Sequence, residues 1–413
     1  MIIDHLLCSV CGKHYSPDQV TYTCPDDGGN LSIMPDYQYL ANLVQPDDIL
    51  NSKEASLWRY VPLLPVVDPG FQHTPLHQAG WTPVYQPQRL AASLGLSQLW
   101  VKDESRNPSA SFKDRASAIV MTRAREIGIS VVVAASTGNA GAATACMAAA
   151  MGAKSVILAP RSAPPAKIAQ LLIFGAKVIL VDGNYDQAFD LSIQASHEFG
   201  WYNRNTGYNP FTAEGKKTAA FEIWEQVLLN LPTGSKPLII LVSVGDGNII
   251  SGIHKGFKDL YALGWIEQIP RLFGIQAEGS AAIANAFAQN TTTIIPVAAS
   301  TLADSISVDQ PRDGLRALQA VRETGGTYLT VPDEAILRAI ASLGSVGIFA
   351  EPAGATAYAG LVSAKTQNLL DLNDPVLVLN TGSGLKDIKA AMQAVPSAPI
   401  IEPSLQSLKQ VIS

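Results

Sequence analysis

The chemistry open to this chain starts at Lys113, within Asn107-Pro108-Ser109-Ala110-Ser111-Phe112-Lys113-Asp114-Arg115. Small polar residues precede the lysine and a helical pattern begins after it. A free lysine amine titrates near ~10.4, so at neutral pH it is charged and not nucleophilic. Burial or a neighbouring cation disfavours the charged form. Arg115 is a candidate cation, and Asp114 would oppose it. A lysine so placed can form a Schiff base with an aldehyde, as the cofactor lysine of a pyridoxal phosphate (PLP) enzyme does. A solvated lysine at a helix start is the competing reading, and this motif alone does not separate the two.

Three further segments bear on the choice. Ala134-Ala135-Ser136-Thr137-Gly138-Asn139-Ala140-Gly141 lies between an apolar run and an Ala-rich helical pattern. Its hydroxyls and helix N-terminus suit a carboxylate or phosphate, and Asn139 could bond a phenolic oxygen. Helix capping by Ser136 or Thr137 is the plainer reading. Ser243-Val244-Gly245-Asp246-Gly247-Asn248 follows the apolar run 238–242. The amides of Gly245, Asp246, Gly247 and Asn248 could close around a phosphate. Asp246 brings a carboxylate into that cup, so it must point away or accept bonds from backbone. Asn380-Thr381-Gly382-Ser383-Gly384-Leu385-Lys386-Asp387 places hydroxyls after another apolar run. Thr381 or Ser383 could face a ring nitrogen and leave it unprotonated, which favours elimination or replacement over transamination.

Nucleotide motifs fit less well. No Gly-Lys-Ser/Thr follows the glycine cup, and position 250 is Ile250 where a dinucleotide loop needs a third glycine. This disfavours a nucleotide-dependent dehydrogenase.

The elements that must hold these segments alternate between strand and helix. Strands are expected at 98–102, 131–134, 155–158, 177–181, 238–242, 271–276, 347–350 and 375–379. Helices are expected at 114–127, 166–174, 185–199 and 214–229, with another through Met147 and Met151. Such alternation implies parallel sheets covered on both faces. The expected fold class is α/β, with two parallel-sheet α/β domains, a ligand cleft between them and a small N-terminal ribbon-like extension. Residues 51–114 with 212–400 would form the larger, cofactor-binding domain, and 115–211 the smaller. A proline-rich linker (Pro62, Pro65, Pro69, Pro75) precedes the body.

Residues 1–50 carry Cys8, Cys11 and Cys24 and no helical period. Cys8-x-x-Cys11 and Cys24-Pro25-Asp26-Asp27-Gly28-Gly29 have the layout of two zinc knuckles, with Asp27 in the fourth ligand position. Structural zinc sites overwhelmingly use sulfur and imidazole, so the favoured expectation is a ribbon that folds without metal.

Charged residues make up 15% of the 413, and the net charge is -6, which argues against nucleic acid as a partner. No apolar run approaches the ~18 residues that span a bilayer, so no membrane partner is expected. With few cysteines and no basic-then-apolar start, the expected location is the cytoplasm.

Taken in order, the four segments resemble the tryptophan-synthase-β-like, or fold type II, PLP enzymes, and among these the threonine synthases. Ser111 to Arg115 is similar to their cofactor-lysine motif, and Ser136 to Asn139 to their asparagine loop. Glu214-Gly215-Lys216-Lys217-Thr218-Ala219-Ala220 resembles their Glu-Gly-Gln-Lys-Thr-Ala segment, and Thr381 to Asp387 their closing Thr-Gly-His-Gly-Leu-Lys-Asp. The resemblance implies PLP on Lys113, Asn139 at its phenolic oxygen, Thr381 at its ring nitrogen, and Gly245 to Asn248 at its phosphate. It implies conversion of O-phosphohomoserine and water to threonine and phosphate, with Ser136 and Thr137 on the substrate. It also implies a homodimer acting on a phosphorylated amino acid. One departure bears on the substrate. Threonine synthases often carry an arginine shortly before the Glu-Gly pair, whereas this chain reads Asn209-Pro210-Phe211-Thr212-Ala213. Lys167 could compensate in part as a phosphate ligand. A threonine or serine ammonia-lyase, or a cysteate synthase, therefore stays open on the same fold, as does a non-catalytic relative.

Overall fold

The computed structural model describes residues 2–136, 138–163 and 165–412. The chain opens with β1 (Ile3–Cys8), β2 (His14–Tyr15) and β3 (Leu31–Pro35), an antiparallel sheet in the order β2-β1-β3. Alternation with period two buries Leu6, Cys8, Leu31 and Ile33. Two helices follow, α1 (Tyr37–Leu43), capped by the Asp36 side chain, and α2 (Pro46–Leu50), with proline in its first turn. They correct the expectation of no helix before residue 50. Each buries one residue, Leu40 and Ile49, which leaves no helical period to read.

The body begins with β4 (Val84–Tyr85), α3 (Gln88–Ser93), β5 (Gln98–Asp103) and α4 (Lys113–Glu126). Next come β6 (Val131–Ala135), α5 (Asn139–Met151), β7 (Lys154–Pro160), α6 (Pro165–Ile173), β8 (Lys177–Val181), α7 (Tyr185–Phe199) and β9 (Tyr202–Asn203). From α8 (Phe211–Gln226) the chain continues through β10 (Ile239–Ser243), α9 (Asn248–Ala262), β11 (Arg271–Ala277), α10 (Ala282–Ala288) and α11 (Gly314–Glu323). It then forms β12 (Thr327–Val331), α12 (Asp333–Gly344), α13 (Pro352–Thr366) and β13 (Pro375–Asn380).

Two sheets organise the body, as the α/β expectation requires. One has the order β12-β11-β10-β13-β5-β4, the other β8-β7-β6-β9. Every pairing in them is parallel except β4 with β5 at an edge. The two middle strands of the six-stranded sheet, β10 and β13, are buried along their whole length, which explains the unbroken apolar run of β10. The strand expected at 347–350 is not one. Gly347 turns with φ +83°, and Ala350 makes only an isolated bridge to Ser383. The strand of that region is β12.

Helix α8 packs between α4 and α9, where small residues let backbones touch. A Cβ at Gly215 would collide with the Arg115 carbonyl, and one at Gly256 would lie 2.5 Å from the Lys217 carbonyl oxygen. The contact is locked by a buried ionic cluster. Arg115 pairs with Glu104 at 2.7 Å and Glu222 at 2.5 Å, and Lys102 joins Glu222 at 2.7 Å. Such a cluster holds geometry more than it adds stability, and removing one member would leave a charge buried and unpaired. Among the described residues, no helix is long and apolar enough to cross a membrane.

Candidate active site

Four of the loops singled out leave the carboxyl ends of strands or pack against those that do. Ser136 follows β6, the glycine cup follows β10, and Thr381 follows β13. The Lys113 loop is stitched to the last of these: Phe112 N–H donates to the Thr381 carbonyl at 2.9 Å, and Ser383 N–H to the Ala110 carbonyl at 3.1 Å. Ligands in open parallel sheets sit at such ends.

Lys113 opens α4 and lines two adjoining cavities of about 350 and about 50 Å³. Thr206, Asp246 and Ser305 also line both. The loop before it is strained and pinned. Ala110 sits at φ +66°, and Asp114 accepts from Ser109 N–H at 2.7 Å and Ser109 Oγ at 2.6 Å. Asp114 is thus occupied with the loop, and burial lifts its carboxyl to about 6. Burial pulls the Lys113 amine down to about 8, with Arg204 adding to the effect and Glu351 and Asp246 opposing it. This corrects the parts expected of its neighbours. Arg115 is neutralised by Glu104 and Glu222, so the effective cation is Arg204, and the opposing carboxylates are remote in sequence.

The glycine cup lines the smaller cavity together with Ser243 and Lys216. Gly247 has φ +94°, and a Cβ there would lie 2.7 Å from the Asp313 carbonyl oxygen. A Cβ at Gly245 would lie 2.8 Å from the Ile306 Cα. Only glycine fits at these points. Asp246 accepts from Arg312 N–H at 3.2 Å through Oδ1, and burial raises its carboxyl. Asn248 begins α9, accepts from Lys216 Nζ and donates to Asp313 Oδ2 at 2.6 Å.

Ser136 and Asn139 line the larger cavity. Ser136 Oγ accepts from Gly138 N–H at 3.2 Å, and Asn139 Nδ2 donates to Glu351 Oε1 at 2.7 Å. Thr137 lies outside the described residues. Lys167 pairs with Asp304, a residue of the cavity wall. Thr381 is buried behind the Lys113 loop and lines neither cavity. Ser383 Oγ accepts from Leu385 N–H at 3.3 Å.

Three residues had no part assigned from sequence. Arg204 is buried just after β9; its Nε donates to Ser117 Oγ at 3.1 Å and one terminal nitrogen to Thr206 Oγ1 at 2.9 Å. Its other terminal nitrogen, Nη2, is buried without a partner among the described residues. Lys216 is fully buried, and burial, with Lys113 and Arg204 nearby, holds its pKa well below the usual lysine range. Glu351 precedes α13 and is raised by burial. Lys216 stood inside the Glu-Gly-Lys-Lys segment; Arg204 and Glu351 lie in stretches whose local pattern carries no signal of a site.

These features fit PLP. A phosphate needs hydrogen-bond donors and room for its oxygens. Here the cup is kept open by glycines, Lys216 stands at its wall, and the buried Ser243 Oγ in the same wall has no partner among the described residues. Beside it are a depressed lysine amine and a cavity within the roughly 300–1,000 Å³ range of small-molecule sites.

Comparison with known proteins gives the same answer. The family model described as pyridoxal-phosphate dependent enzyme matches residues 76–382. The chain is 38% identical to threonine synthase of Methanocaldococcus jannaschii over 408 residues, covering 98% of each chain. It is 35% identical to threonine synthase of Methanosarcina acetivorans over 412 residues, covering 99% of this chain and 98% of the relative. Among solved structures, diaminopropionate ammonia lyase from Escherichia coli superposes with a TM-score of 0.67 at 20% identity, covering 85% of this chain and 95% of the other. With a lysine, a glycine cup and a cleft arranged in this way, the chain belongs to the pyridoxal-phosphate-dependent enzymes of fold type II, together with its threonine synthase relatives.

Proposed function

We propose that the protein is a threonine synthase, a lyase that converts O-phosphohomoserine and water to threonine and inorganic phosphate. The observation that carries the choice of substrate is Arg204, a buried guanidinium that lines neither cavity itself but donates to Thr206, which lines both, and whose Nη2 has no partner among the described residues. It supports an anion site where the arginine expected before Glu214 is missing. Thr212, at that position, bonds to Asn209 O at 2.8 Å and Asn248 Oδ1 at 3.2 Å and is fully buried, a packing role. The names of the two relatives over nearly the whole chain support the same reading.

PLP, when bound, supplies the electron sink that lets protons leave carbons near the substrate amine. The chain's residues supply the rest. Lys113 carries the cofactor and, with an amine near neutrality, takes and returns protons at the α, β and γ carbons. The glycine cup and Lys216 would hold the cofactor phosphate and Asn139 would face its phenolic oxygen; the family resemblance assigns Thr381 to the ring nitrogen, although it lines neither cavity. Ser136 would contact the substrate carboxylate or phosphate. Arg204, with Lys167 at the rim, holds the substrate phosphate until it departs from the γ carbon. Water then adds at the β carbon.

The test is an assay of products. The purified protein should release equal amounts of threonine and phosphate from O-phosphohomoserine, and Lys113→Ala should abolish both while keeping the fold. Faster conversion of threonine or serine to a keto acid would assign it as an ammonia-lyase instead.

A further inference from the structure

We propose that Cys8, Cys11, Cys24 and Asp27 form a structural zinc site in the N-terminal sheet. From sequence the aspartate argued against metal; the arrangement of the four side chains argues for it. One ligand atom from each lies within 4.8 Å of all the others. Cys11 Sγ and Cys24 Sγ are 3.8 Å apart, and Cys8 Sγ lies 3.4 Å from Asp27 Oδ1. For tetrahedral zinc with sulfur at about 2.3 Å and carboxylate oxygen at about 2.0 Å, the sulfur–sulfur edge is about 3.8 Å and the sulfur–oxygen edge about 3.5 Å. Both distances match these edges.

The two turns that carry the ligands are built alike. In the first, Gly12 N–H donates to the Cys8 carbonyl at 3.2 Å; in the second, Gly28 N–H donates to the Cys24 carbonyl at 2.9 Å. Each glycine has φ +71°. Asp27 therefore stands in the second turn where Cys11 stands in the first. Polar groups surround the sulfurs: Val10 N–H donates to Cys8 Sγ at 3.4 Å, and the Tyr15 hydroxyl lies 3.0 Å from Cys24 Sγ and 3.2 Å from Asp26 Oδ2, to which it donates. Lys13 pairs with Asp26 at 2.7 Å and offsets the negative charge. Cys8 and Cys24 are buried while Cys11 is exposed, which leaves an entry path. The turns pack next to the catalytic cleft. Asn30 donates to the carbonyls of Gly207 and Arg312, and Arg312 N–H holds Asp246 in the cofactor cup.

The experiment is zinc analysis of the full chain, purified under reducing conditions without chelator. About one zinc per chain is expected, as for other closed structural sites. Cys11→Ser and Asp27→Asn should each lose it, whereas Asp27→Cys should keep it and Cys146→Ser should have no effect. Should the first two variants fail to fold, cobalt exchanged into the wild-type chain gives a second readout: strong thiolate-to-metal charge-transfer absorption is expected. Absence of zinc both as purified and after incubation with zinc and desalting would overturn the proposal. So would equal zinc in wild type and folded Cys11→Ser, or cobalt uptake without thiolate bands. None of these results depends on whether the enzyme makes threonine.

Discussion

Asn139 and Glu351 meet across the cleft, with Asn139 Nδ2 donating to Glu351 Oε1 at 2.7 Å. The first residue opens α5, after a strand of the four-stranded sheet, and the second precedes α13, which covers the six-stranded one. Lys386 Nζ donating to Gln170 Oε1 at 2.9 Å and the Lys167–Asp304 pair also join the two sides. Glu351 is at once a cleft clasp and one of the two carboxylates that oppose the depression of Lys113.

This double part gives a pH prediction. Below its pKa the Lys113 amine is protonated and cannot attack an aldehyde; above it the amine is free. The rate at which cofactor-stripped protein takes up PLP should therefore rise with pH, with a midpoint near 8. Glu351→Gln removes a negative neighbour that favours the charged lysine, so the midpoint should move to lower pH. Stopped-flow absorbance at several pH values measures both. An unchanged midpoint in the variant would show that Glu351 does not act on Lys113.

Gly247→Ala tests the phosphate cup. A non-glycine residue in the left-handed region costs about 1–2 kcal/mol. The new Cβ would also lie 2.7 Å from the Asp313 carbonyl oxygen and from Ala317 Cβ. PLP affinity should fall by at least about tenfold, read by fluorescence titration of the stripped protein. Wild-type affinity in a folded variant would mean that the cup does not hold the phosphate.

Arg204→Gln separates the two phosphates. Losing a hydrogen bond to a charged group costs about 1.5–3 kcal/mol. kcat/KM for O-phosphohomoserine should fall by about ten- to a hundredfold, with the visible spectrum of bound PLP retained. Loss of PLP binding with KM unchanged would transfer the arginine to the cofactor.

Much of the fold could be read because its signals are local. The β8 strand and α7 agree with expectation to the residue, as the apolar run 178–181 is followed by a capped helix with Asn184 at its start. The strand β12 escaped notice because Thr327-Tyr328-Leu329-Thr330-Val331 is mixed in polarity, while the apolar Ile348-Phe349-Ala350 beside it imitates a strand. Lys113, Ser136, Asn139 and the glycine cup stand in motifs, and the fold brings them to one place. Arg204 and Glu351 do not. A lone arginine between two asparagines, or a glutamate before a proline, acquires meaning only when two sheets bring it to the same lysine.

The most direct measurement of the central claim is the fate of oxygen from water. With O-phosphohomoserine in ¹⁸O-labelled water, elimination from the γ carbon followed by addition at the β carbon puts the label in the threonine hydroxyl and leaves the released phosphate unlabelled. Mass spectrometry of both products should show that pattern in equal amounts. Homoserine with labelled phosphate, or no turnover of O-phosphohomoserine by a PLP-loaded protein that deaminates threonine, would contradict the account.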